Sequence, residues 1–239
     1  DWYRFGNVSL SKTLDIGGRY SIFSEAGMVP AYLMGLNIKN LRKNLLAHFN
    51  KRNRKFLKES SIILANLLIM NKFNNLIFFN YVPRLDKFLY WNQQLVAESL
   101  GKKGKGFLPL ISTAPKDHHS LLQLYMEGPK DKIFYIFSEK KNDSKKLKLK
   151  KFDKEINFLQ NKSLQQVKNA QKNAFIHNLK QNNIPFREFK INNFSENTIG
   201  ELFSYFMLET AIVGKLADIN PFNQPAVQKV KIDTKKLLK

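Results

Sequence analysis

The chain has 239 residues, of which 43% are hydrophobic and 20 are Phe, with no cysteine. That is enough apolar material for one large domain, or one domain plus part of another, and it excludes a disordered chain. Without cysteine there is no disulfide framework and no thiolate metal site, which suits a reducing interior.

The net charge of +21 and pI near 10.0 admit three partners: nucleic acid, an anionic membrane surface, or a small anionic substrate. The lysines are spread along the chain instead of massed on one periodic face. The charge therefore reads as solvated surface and source composition, and neither a nucleic acid nor a membrane partner is expected. The longest apolar run, Ile62 to Met70, is interrupted by Asn66 and is too short to span a bilayer. No signal peptide precedes the first charged residues, and the cytoplasm is the expected location. The chain opens at Asp1 and not at Met, which points to further sequence upstream.

In chain order, residues 1–24 are polar and show no periodicity. Met28, Tyr32, Leu33 and Leu36 then follow a helical spacing, and a second helix, continuous or with a break, runs from about Leu41 to Met70. Leu76 to Val82 (LIFFNYV) is a continuous apolar run of the kind found in buried strands. A helix over Leu85–Leu100 stops at Gly101, Phe107–Ser112 reads as a strand, and His119–Met126 as a helix. Lys132–Ser138 (KIFYIFS) is another strand. The lysine-rich K-L-K-L-K alternation within Glu139–Lys151 predicts an exposed edge strand guarded by charge. A helix over 161–182, a strand over Pro185–Ile191, a helix over 196–217 and a last helix over 225–238 complete the pattern. Strands alternating with helices predict an α/β fold, with a mainly parallel sheet covered on both faces. Ligands of such sheets sit beyond the carboxyl ends of the strands.

Four segments carry candidate chemistry. In Gly17-Gly18-Arg19, paired glycines let backbone approach a ligand, and the arginine offers a fixed fork of donors for developing negative charge. Trp91, Gln94 and Glu98 share one face of the 85–100 helix, with Glu98 in its last turn. A carboxylate there meets the negative end of the helix dipole, which suits a general base. His118 and His119 follow a strand at the ligand end of the sheet, where Asp117 can cap a helix whose positive end would favour a neutral imidazole. His48 and His177 lie within helical patterns and read as structural. In NPFNQPAVQKVK (220–231), Pro225 opens a helix on which Gln224 and Lys231 can face the same way. Each segment taken alone has an ordinary counterpart: a turn, a solvated glutamate, two loop histidines, a capped helix. The glycine-lysine string 101–106 lacks the order of a phosphate loop and follows a helix, so a Walker motif is rejected. No metal-binding or serine-nucleophile motif is present.

Taken in order, DIGGRYSIFSEAGMVP (15–30), QLVAESLGKKGKG (94–106) and NPFNQPAVQKVK (220–231) resemble the signature segments of the glucose-6-phosphate isomerase family. HHSLLQLYMEGPKDK (118–132) resembles the histidine segment of its bacterial members, and the likeness runs from about residue 6 to residue 236. The resemblance implies a three-layer sugar-isomerase (SIS) domain, preceded by the tail of a similar first domain. Residues 1–45 would then be the end of the first domain and a linker, and 46–239 the second domain with its C-terminal helix. It implies metal-free and cofactor-free interconversion of glucose 6-phosphate and fructose 6-phosphate through a cis-enediol, in glycolysis and gluconeogenesis.

By the same resemblance Glu98 would move the proton between C1 and C2, and Arg19 would stabilise the enediolate. Gln94 and Gln224, with Gly18, would hold sugar oxygens. His119 and Lys231 would open the ring, with the histidine donated across a homodimer interface. The family's serine/threonine-rich phosphate loop lies upstream of the G-G-R segment, and Ser9, Ser11 and Thr13 are too close to Arg19 to be that loop. The 239 residues alone are therefore expected to be inactive or very weak. His118 stands where related sequences carry glutamine, which leaves either histidine open as the ring-opening group. The alternative reading is a non-catalytic sugar-phosphate-binding SIS module, which has no use for Glu98, His119 and Lys231 together.

Overall fold

The computed structural model describes residues 4–5, 8–9, 17–140, 145–148 and 154–238. In chain order the elements are β1 (Arg4–Phe5), β2 (Val8–Ser9), α1 (Glu25–Leu33), α2 (Ile38–Arg42), α3 (Lys51–Ile69), β3 (Asn75–Asn80) and α4 (Asp86–Leu100). There follow β4 (Leu108–Thr113), α5 (Lys116–Ser120), α6 (Leu122–Glu127), β5 (Lys132–Glu139), α7 (Leu164–Gln181), β6 (Phe186–Ile191), α8 (Glu196–Leu216) and α9 (Pro225–Leu237). These fall into two compact units. One is Asp1–Lys72 with Trp91–Phe107 and Phe194–Lys239; the other is Phe73–Tyr90 with Leu108–Asn193.

The second unit holds a sheet in the order β4-β3-β5-β6, parallel throughout. The apolar runs read from the sequence are its central strands, β3 and β5, which are buried along almost their whole length. Burial on both faces explains why neither shows polar alternation. On one face Ile77, Phe79, Phe134 and Ile136 pack with Tyr125 of α6 and with Phe175 and Leu179 of α7. On the other, Phe78, Tyr135, Phe137 and Phe189 form an aromatic row, with the Phe137 and Phe189 rings stacked 5.1 Å apart. At the end of β3, the Asn80 amide donates to Val82 O and Asp86 Oδ1, and its carbonyl accepts from Val82 N. That buried asparagine fixes the turn from which α4 starts.

In the first unit α3 packs along α8. The Ser60 hydroxyl meets Tyr205 at 2.8 Å, and Tyr205 in turn donates to Glu209 at 2.8 Å. Gly200 lets α2 approach α8, because a Cβ there would lie 1.8 Å from Leu41 O. Among the described residues no helix is long and apolar enough to cross a membrane.

One break is located, and two expectations about elements need correction. The helix expected over 41–70 is broken by a 3₁₀ turn at Ala47–Phe49, after which Asn50, with extended backbone, starts α3 afresh. Residues 119–126 do not form one helix, since Leu121 leaves the helical region between α5 and α6. No strand follows Glu139 among the described residues until β6, which occupies the place beside β5, and Leu147 pairs instead with Lys162 and Asn161. The rest of that lysine alternation, 141–144 and 149–151, lies outside the described residues, as do Ser11 and Thr13.

Candidate active site

The site is built in the first unit around Arg19. Gly17 and Gly18 lead into a single 3₁₀ turn, and the Arg19 side chain ends only 1% exposed. A guanidinium has five N–H donors in a rigid fork, and burying it demands a partner for each. All five are used. Nε donates to Ser99 Oγ at 2.9 Å; Nη1 donates to Glu98 Oε2 at 2.9 Å and to Gln224 Oε1 at 2.8 Å. Nη2 donates to the carbonyls of Pro221 at 2.7 Å and Asn223 at 3.2 Å. One side chain thus ties together three segments that are far apart in sequence. Its backbone is held as well, since the Trp91 indole N–H donates to Arg19 O at 2.9 Å. Gly18 is exposed, and a Cβ there would meet nothing within 4 Å, so its backbone is open to approach from outside.

Glu98 is the reactive-looking group of the set. Its Oε2 is taken by Arg19, and its Oε1 accepts from the Gln94 amide at 2.9 Å, one helical turn away on α4. Even so, the side chain is 26% exposed. A carboxylate has about four lone-pair positions, so these two bonds fix its orientation and leave capacity toward solvent. Behind it, the Tyr20 hydroxyl lies 3.0 Å from Ser99 Oγ, and the Tyr20 ring packs on Phe222 at 5.1 Å. Burial pushes the Tyr20 hydroxyl up despite Ser99 and Arg19, so it stays protonated.

Gln224 occupies the N-cap position of α9 with Pro225 at the first helical position, as the sequence suggested. Its side chain does not cap the helix. It turns back to Arg19. Ser99 and the carbonyls of Pro221 and Asn223 escaped the sequence reading. Ser99 could have been found as the small hydroxyl next to Glu98, whereas nothing in a sequence signals which carbonyls a turn will present.

Comparison with known proteins then bears on this constellation. No family model matches the chain. Over 227 residues it is 34% identical to a probable glucose-6-phosphate isomerase of Methanococcus maripaludis, covering 90% of this chain and 49% of that protein. Over 233 residues it is 30% identical to the glucose-6-phosphate isomerase of Methanocaldococcus jannaschii, covering 91% and 55%. Over 226 residues it is 32% identical to that of Mycoplasmopsis synoviae, covering 90% and 52%. Over about nine-tenths of its length the chain is thus similar to proteins named glucose-6-phosphate isomerase. It spans about half the length of the curated relatives it matches.

The fold agrees. A hypothetical protein of Thermus thermophilus superposes with a TM-score of 0.73 at 26% identity, covering 93% of this chain and 55% of that one. A glucose-6-phosphate isomerase of Chlamydia trachomatis gives 0.73 at 17% identity, covering 93% and 47%. At that identity the second likeness speaks for the fold alone.

Set against this family, the remaining expected residues fall apart in an informative way. Lys231 lies on α9 in the same unit, exposed and not among the Arg19 hydrogen-bond partners. The histidines belong to the second unit, just after β4. His118 is packed among the rings of Phe79, Tyr81 and Phe175, with its Nε2 2.6 Å from the Tyr81 hydroxyl. Burial lowers its pKa, and not the helix terminus anticipated from the sequence. His119, its neighbour, is exposed. Asp117 does not cap α5 from outside; it is the second residue of that helix. Its buried carboxylate accepts from Thr113 N at 2.7 Å, Ser112 Oγ at 3.0 Å and Ser120 Oγ at 2.9 Å, and so pins the histidine segment to β4. His48 is structural, buried against the Tyr205 ring, but His177 stands on the exposed side of α7.

Proposed function

We propose that the chain is the catalytic part of a glucose-6-phosphate isomerase, which reversibly interconverts glucose 6-phosphate and fructose 6-phosphate in glycolysis and gluconeogenesis. The observation that carries this reading is the Arg19–Glu98–Gln94–Gln224 constellation, formed from the same segments that match the isomerase family. With the sugar in its open-chain form, the Glu98 carboxylate takes the proton from C2. The C2–H electrons form the C1–C2 double bond, and the carbonyl oxygen becomes the enediolate oxygen. Glu98 returns the proton at C1, and the second hydroxyl proton moves to complete the ketose. Such a base contributes about 10²–10⁴-fold when it is held within hydrogen-bond reach of the proton.

Arg19 has no spare N–H to offer the enediolate. Its contribution is a fixed positive charge in a poorly solvated place, together with the orientation of Glu98 and Gln224. The Gln94 and Gln224 amides, beside the open backbone of Gly18, are the groups that would meet sugar hydroxyls. His119 and Lys231 are the ring-opening pair. Of the two histidines, His119 has the exposure this role needs, while His118 is committed to the aromatic cluster. His119 reaches a sugar bound at Glu98 from a second subunit, so the working form is a homodimer, in the cytoplasm. The test is a coupled assay on the full-length protein. Wild type is expected to interconvert the two sugar phosphates, and Glu98→Gln to lose nearly all turnover while still binding ligand. Near-normal turnover in that variant would remove Glu98 as the base.

A further inference from the structure

The glycine-lysine string after α4, rejected as a phosphate loop, has a definite structure with no obvious purpose. Residues 102–105 form a tight hairpin: Lys102 N donates to Lys105 O and Lys105 N to Lys102 O, both at 3.0 Å. Lys103 and Gly104 adopt positive φ of 54° and 71°, as a two-residue turn of this hand requires. The hairpin lays three ammonium groups on the carbonyls that follow α8. Lys105 donates to Ala217 O at 3.1 Å, and Lys103 donates to Asp218 O at 2.7 Å and Oδ2 at 2.9 Å. Those two satisfy carbonyls at the C-terminal end of a helix, where cations are favoured.

Lys102 does something different. Its Nζ donates to Ser99 O at 2.9 Å and to Asn220 O at 2.6 Å. Ser99 is the residue after Glu98, and its hydroxyl receives Arg19 Nε; Asn220 precedes Pro221, whose carbonyl receives Arg19 Nη2. Asn220 also accepts Phe222 N on its own side chain at 2.9 Å, which stiffens the same turn. Lys102 therefore bridges the two backbone segments between which the guanidinium is suspended. We infer that Lys102 is a positioning residue, joining the Glu98 end of α4 to the Pro221–Gln224 turn and so holding Arg19 and Gln224 in register with the base. Its charge is felt there too. Burial lowers its pKa to about 8, the Arg19 charge pushes the same way, and Glu98 pulls against both. The inference rests on the isomerase reading, and on geometry that holds whether or not that reading is right.

The test uses the full-length protein carrying Lys102→Met or Lys102→Arg, with two readouts. In the isomerase assay, Lys102→Met is expected to lower kcat about tenfold or more with KM within about twofold, since displacing catalytic groups by fractions of an ångström costs turnover before binding. Lys102→Arg, which can still reach two carbonyls, is expected to restore most of it. In parallel, the Trp91 indole N–H resonance, which reports the Arg19 backbone through its bond to Arg19 O, should shift and exchange faster in the methionine variant only. Unchanged kcat and an unchanged Trp91 signal in Lys102→Met would overturn the inference. So would a loss accounted for by the unfolded fraction in a thermal melt, or an arginine variant as poor as the methionine one. If wild type fails to interconvert the sugars, the isomerase reading falls, and the Trp91 signal alone decides the role of Lys102.

Discussion

Replacing Arg19 by lysine keeps the charge and removes the fork, which makes it the sharpest probe of how this site is held. The guanidinium spends five N–H groups on Ser99, Glu98, Gln224, Pro221 and Asn223. An ammonium has three N–H groups and no planar fork, so at least two of those acceptors lose their partner. A hydrogen bond to a charged group contributes about 1.5–3 kcal/mol, which puts the loss for two at about 3–6 kcal/mol. Water reaching the outer carbonyls and the partly exposed Glu98 recovers some of this, so about 3 kcal/mol is the expected destabilisation, a cost in the upper range for point substitutions. Urea unfolding of the two proteins should show the midpoint moved with the slope unchanged. Activity should fall further than stability alone implies, by about 10²-fold or more in kcat/KM, because Glu98 and Gln224 are no longer fixed relative to each other. An Arg19→Lys protein with the wild-type midpoint and wild-type turnover would refute the claim that the fork organises the site.

Two further outcomes follow from the histidine segment. Substituting His119 by alanine should depress turnover of cyclic sugar far more than of the open-chain form while leaving the melting temperature unchanged. His118→Ala should instead lower the melting temperature by opening a hole among Phe79, Tyr81 and Phe175, and a reversal of these two patterns would exchange their roles. Burial raises the Asp117 pKa, but the Thr113 amide, the Ser120 and Ser112 hydroxyls and Lys116 together bring it below its ordinary value. A carboxyl depressed on folding stabilises above its unfolded pKa of about 4 and loses that contribution as pH falls through its folded value. Wild type should therefore exceed Asp117→Asn in stability by about 1–2 kcal/mol at neutral pH, with the gap closing below about pH 4. A gap independent of pH would show that the charge of Asp117 plays no part.

Much of the architecture was legible from the sequence because buried parallel strands leave an unmistakable trace: LIFFN and KIFYIFS have few alternative uses. The site was legible as motifs, since Gly18-Arg19, Gln94/Glu98 and Gln224 lie in segments that resemble the isomerases. What stayed hidden depends on contacts between distant residues. Nothing local says that Gln224 at an N-cap position will turn its amide to Arg19, or that three lysines will seat on the carbonyls beyond α8. Nor can adjacent histidines be told apart by type; only the sheet core decides that His118 is packed and His119 exposed. The lysine alternation after Glu139 misled for a related reason. Period-two patterning marks a strand only where a ladder receives it, and among the described residues of this stretch Lys146 makes only an isolated bridge to Ser163.

The central claim is that Glu98 carries a proton between two adjacent carbons of a sugar phosphate. Deuterium exchange reads that transfer directly. Full-length protein incubated with fructose 6-phosphate in D2O should introduce solvent deuterium at C2 of the glucose 6-phosphate formed, and Glu98→Gln should introduce almost none under the same conditions. Incorporation by the Glu98→Gln protein at the wild-type rate would contradict the account, whatever the rest of the site looks like.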